Sequence, residues 1–145
     1  MPELSALLNE QKRPQIVAEL NTVVNDTVSS TSGLTGMALK GGLGAASKMD
    51  SNFVEKGINR LLPDLLGELQ PHWAKYSESG TSNFGAYLAA NEDHVINGIL
   101  KLADDNVSKA PAALQKVYNG LRGKAAGIIS PALPKVGAAI EKHMA

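Results

Sequence analysis

Apolar residues recur along this chain three and four positions apart, and runs that alternate apolar with polar are missing. The pattern predicts helices from end to end and no sheet. Leu4, Leu7 and Leu8 form one short stripe behind Pro2, which suits a first helical position. From near Pro14, Ile16, Val17, Leu20, Val23, Val24 and Val28 share a face opposite Glu19, Asn21, Asn25 and Asp26. The Ser/Thr/Gly run over 29–33 breaks that helix, with Ser32 placed to cap the next. Asp50, Ser51 and Asn52 cap a further helix, Glu55 standing in the capping-box position after Asn52. Its stripe is the longest in the chain and runs from Val54 and Ile58 through Leu61, Leu62, Leu65, Leu66 and Leu69 to Trp73. Pro63 and Pro71 fall inside it, and each either kinks the helix or starts a new one. Residues 77–82 carry turn chemistry, and Thr81 or Ser82 then caps a short aromatic helix with Phe84, Tyr87 and Leu88. Asn91-Glu92-Asp93 marks another start, since both acids meet the positive end of the helix dipole. Pro111 opens a helix with Leu114, Val117, Tyr118 and Leu121, and a last one runs from Pro131 or Pro134 through Val136 and Ile140.

The stretch 33–47 stands apart because it is helical in pattern yet built largely of glycine and alanine. Each interior glycine costs about 1 kcal/mol against alanine, so Gly36, Gly41, Gly42 and Gly44 together cost roughly 3–4 kcal/mol. Such a cost implies that something lies against the backbone. Leu34, Met37, Ala38, Gly41 and Ala45 share one face, with Leu39, Leu43 and Ala46 opposite, so most of the circumference is apolar and the helix reads as buried. The expected architecture is an all-α bundle of six to eight helices around this central helix, one domain over 1–145.

Composition narrows the function classes. Fourteen basic and fourteen acidic residues cancel, which argues against nucleic acid and against an anionic membrane surface. There is no cysteine, hence no disulfide framework, thiolate metal site or cysteine nucleophile. The opening Met1-Pro2-Glu3-Leu4-Ser5 lacks a secretory pattern, and no apolar run approaches the roughly 20 residues of a membrane span, so a cytoplasmic location is expected.

Candidate chemistry is sparse. On an unbroken helix Asp64, Glu68 and His72 would share a face and could ligate a metal ion, but Pro71 disturbs the register at His72 and a solvated face explains the same residues. Asp93 and His94 sit in a first helical turn, where capping accounts for the acid. Gly41-Gly42-Leu43-Gly44 lacks the Gly-Lys-Ser/Thr ending of a phosphate loop and follows no strand, so no nucleotide or other cofactor is implied. The pairs Trp73/Tyr76 and Phe84/Tyr87 read as core anchors.

Several short marks add up to a resemblance: the opening pentapeptide, Arg13-Pro14, Ser32-Gly33-Leu34-Thr35-Gly36, Leu61-Leu62-Pro63, Asn83-Phe84-Gly85-Ala86-Tyr87-Leu88, Lys116-Val117-Tyr118 and Leu121-Arg122-Gly123-Lys124. The chain resembles a family of small, uncharacterised, all-helical actinobacterial proteins. The resemblance implies a stand-alone cytoplasmic domain and brings no site residue with it.

Three functions remain. The first is a non-catalytic module that meets a protein partner or its own copy through Ala38, Gly41, Gly42 and Ala45. The second is a carrier of a lipid-like or other apolar small molecule in a cavity lined by Leu39, Leu43, Leu62 and Leu66. The third is an enzyme with carboxylate-based chemistry, the weakest because three histidines and no cysteine leave few acid–base groups.

Overall fold

The apolar stripes become helices in the computed structural model, which describes residues 3–49, 52–110 and 112–144. A 3-10 turn at Leu4–Leu8 leads into α1 (Arg13–Ser30), α2 (Gly33–Met49), α3 (Phe53–Ser79), α4 (Phe84–Ala90) and α5 (Glu92–Asn106). α6 (Ala112–Leu121), α7 (Ala125–Ile129) and α8 (Leu133–Met144) follow, each preceded by a short 3-10 segment. No strand occurs among the described residues, so the chain is all-α as its periodicity predicts. The capping and helix-opening roles expected of Pro2, Asp50, Ser51 and Pro111 lie outside the described residues.

Local chemistry sets the boundaries. Asn9 accepts the backbone N–H groups of Gln11 at 2.9 Å and Lys12 at 2.7 Å, turning the chain into α1, where Pro14 sits in the first turn. α3 runs unbroken for 27 residues through Pro63 and Pro71. At Pro63 the carbonyl that loses its N–H partner, Asn59 O, accepts instead from Arg13 Nη2 at 2.8 Å, and at Pro71 it belongs to the exposed Gly67, open to water. The helix continues past the loop expected from residue 77 and stops at Gly80, whose φ of +74° is the left-handed ending that glycine permits. Asn83, rather than Thr81 or Ser82, caps α4, its side chain accepting from Ala86 N at 2.7 Å.

One continuous core joins Leu4 and Leu7, Ile16 and Leu20 of α1, Leu62, Leu66, Leu69 and Trp73 of α3, Phe84 and Leu88 of α4, Val95 and Ile96 of α5, and Leu133 and Ile140 of α8. Trp73 meets Phe84 edge-on with centroids 4.9 Å apart. Glu141 fastens this region, accepting from the Tyr76 hydroxyl and from Phe84 N at 3.3 Å. The end of α8 is tied to α1 through Glu19, which pairs with Lys142 at 3.0 Å and His143 at 2.9 Å.

The glycine-rich helix is not at the centre. No described α2 side chain belongs to the core, and Leu34 and Met37 are 82% and 69% exposed. The reason lies in area. Burial stabilises by about 25 cal/mol per Å² of apolar surface, and a glycine–alanine face offers little of it, so the leucine-rich α3 takes the middle. Together with α6 and α7, α2 forms an outer layer. None of the three contributes a fully buried large side chain among those described.

A candidate binding cleft between two layers

The outer layer does not close tightly on the core. Between them lies a cleft of about 390 Å³. Leu61 of α3 and Leu100 and Ala103 of α5 form its floor. One wall is Leu114, Val117, Tyr118 and Leu121 of α6; the other is Ala125, Ile128 and Ile129 of α7, with Leu39 of α2 at the edge. All of these except Leu100 are half-buried, so apolar surface stays open to solvent along the cleft. Asn106 and Tyr118 are its polar side chains. The amide of Asn106 is turned inward to its own helix, Nδ2 donating to Leu102 O at 2.7 Å.

Tyr118 carries the polarity of the rim. Its hydroxyl donates to Asp104, and the same carboxylate receives Arg122 in a fork, Nε to Oδ1 at 3.0 Å and Nη2 to Oδ2 at 3.1 Å. The hydrogen bonds from Arg122 and then Tyr118 hold the Asp104 carboxyl below its ordinary range. Burial, followed by the bond to Asp104, pushes the Tyr118 phenol up to about 12. The rim is therefore a neutral phenol beside a paired anion and cation.

The residues singled out from the sequence are scattered relative to this cleft. Leu39 lines it, whereas Leu62 and Leu66 lie deep in the core at 1% and 2% exposure and Leu43 is not among the lining side chains. Of Ala38, Gly41, Gly42 and Ala45, Gly42 is pressed against α6: a Cβ there would sit 2.8 Å from Val117 Cγ2 and 3.3 Å from Leu114 Cδ2. Gly41 and Ala45 face outward, and nothing lies within 4 Å of a Cβ built on Gly41.

Asp64 is exposed, Glu68 lies over Gly98 of α5, and His72 leans on the Tyr87 ring at 6.5 Å. Burial, and then the charge of Lys75, pushes the His72 imidazole below its usual value. Among the described residues no three His, Cys, Asp or Glu side chains are grouped to hold a metal ion. Asp93 and His94 stand exposed in the first turn of α5. A larger groove of about 500 Å³ between the beginnings of α1 and α3 is lined by Glu10, Arg13, Glu55 and Lys56 among others. Arg13 donates there to Asn59, Nε to Oδ1 at 2.7 Å and Nη2 to the backbone carbonyl at 2.8 Å.

Sequence reasoning missed α7 and most of the cleft. The signal was the row Ala125, Ala126, Ile128 and Ile129, apolar but too short between two glycine- and proline-containing segments to read as a helix face. No helix among the described residues is long and apolar enough to cross a membrane.

A family of unknown function (DUF6918) matches residues 4–144, and the chain belongs to it. No curated protein and no solved structure matches the chain.

Proposed function

We propose that this member of the family is a non-catalytic binding protein that takes an apolar small molecule in the cleft between α3/α5 and the outer layer of α2, α6 and α7. The observation that carries the reading is a cleft of about 390 Å³, within the usual size range of small-molecule sites, whose lining is apolar apart from Asn106 and Tyr118. Leaving half-buried leucine, valine and isoleucine side chains open to water forgoes stabilisation that an apolar ligand would supply.

A second reading has its own support. Leu34 and Met37 are largely exposed on α2, and a partner protein or a second copy of the chain could cover them. Native mass spectrometry of freshly purified protein separates the two. The cleft reading expects a monomer carrying a removable apolar adduct. An unliganded protein that dimerises with concentration, and stops doing so with Leu34→Asp, would replace it with the second reading.

A further inference from the structure

The cleft has a chemically distinct end. Arg122 follows directly on Leu121, a lining residue, and its guanidinium shares the Asp104 carboxylate with Tyr118, another lining residue. Asp104 takes two of the five guanidinium N–H groups and the Tyr118 hydroxyl engages the guanidinium as well, which leaves two donors on a side chain that is 43% exposed. The surrounding segment is also biased in charge. Residues 101–124 contain Lys101, Lys109, Lys116, Arg122 and Lys124 against Asp104 and Asp105, in a chain whose formal charge is zero. All five cations are exposed. Apolar walls thus end at a rim whose spare hydrogen-bonding capacity is cationic.

We propose that the cleft takes a single-chain anionic amphiphile, its tail among Leu39, Val117, Leu121 and Ile128 and its acidic head on the free edge of Arg122. The inference rests on the cleft reading above and adds the head-group class. Asp104 holds the guanidinium at the rim and blunts its charge without using its remaining donors. A carboxylate or phosphate head can accept two of them in the planar fork that arginine presents. A cationic head would meet the Arg122 guanidinium, whose remaining groups are all donors.

Calorimetric titration of the full chain with decanoate, decanol and decylammonium, all below micelle formation, tests this. Decanoate should bind at least tenfold more tightly than decanol, with decylammonium weakest. Arg122→Gln should remove the advantage of the acid over the alcohol, whereas Asp104→Asn, which leaves Arg122 unneutralised, should enlarge it. Acetate should not compete; competition would reassign the rim to free anions. Equal binding of acid and alcohol, or an acid preference that survives Arg122→Gln, overturns the head-group assignment while leaving the cleft. If none of the three ten-carbon probes binds, the cleft reading itself falls.

Discussion

Gly85 and Gly137 bring α4 and α8 into backbone contact: a Cβ on Gly137 would lie 2.4 Å from Gly85 Cα and 2.5 Å from its nitrogen. A Cβ on Gly85 would in turn sit 2.5 Å from Pro134 O. The obstructing atoms are backbone on both sides and cannot swing away. Gly137→Ala is therefore expected to destabilise the protein by about 3 kcal/mol or to prevent folding, and Gly85→Ala to act similarly. Urea denaturation monitored through Trp73 fluorescence checks this, since Trp73 packs on Phe84 at the head of α4.

The opposite sign is expected on α2. Nothing lies within 4 Å of a Cβ at Gly41 or Gly44, so alanine there gains helix propensity without a clash. Gly41→Ala and Gly44→Ala should each stabilise by up to about 1 kcal/mol in the same denaturation experiment.

These two pairs show what could be read in advance. The elements were legible because Leu61, Leu62, Leu65, Leu66 and Leu69 define a face whatever they pack against, whereas the boundary at Gly80 and Asn83 falls a few residues from the loop and cap expected at 77–82. Which glycines are contacted is a tertiary matter. Gly41-Gly42-Leu43-Gly44 is conspicuous in one dimension, yet the close crossing is made by Gly85 and Gly137, single glycines 52 positions apart by their numbering. The cleft was illegible for the same reason. Leu39 could be named as a lining residue, but its partners come from α3, α5, α6 and α7, whose half-buried faces look in sequence like ordinary core stripes.

The rim makes a prediction in alkali. With the Tyr118 phenol raised to about 12 by burial and the Asp104 bond, this tyrosine should stay protonated at pH 11, where an ordinary phenol has ionised. A folded-state value above the unfolded one means the contribution is complete below about pH 10 and is lost as pH rises through about 12. Absorbance titration at 295 nm should show a late component that Tyr118→Phe removes. Tyr76 is also raised, first by its bond to Glu141, and Tyr76→Phe identifies that part.

At the acid side, Asp104 is depressed by Arg122 and Tyr118, so the α5–α6 tie is present above the ordinary carboxylate range and is lost as pH falls through the lower folded-state value. Carboxyl chemical shifts should place the Asp104 midpoint below 3.8, and Arg122→Gln should move it upward.

His72 should titrate below 6.5, because burial and then Lys75 disfavour its cation. Its contribution to stability is present above the unfolded value and falls away as pH drops through the lower folded one. Imidazole proton shifts report the midpoint, and Lys75→Gln should raise it.

Methyl-resolved NMR during titration with decanoate tests the binding cleft most directly. The methyl groups of Leu39, Val117, Leu121 and Ile128 should shift together and saturate, while those of Leu4, Ile16 and Leu66 in the core stay in place. Shifts confined to Leu34 and Met37 on the outer face of α2, or no saturable shift at the cleft, would contradict it.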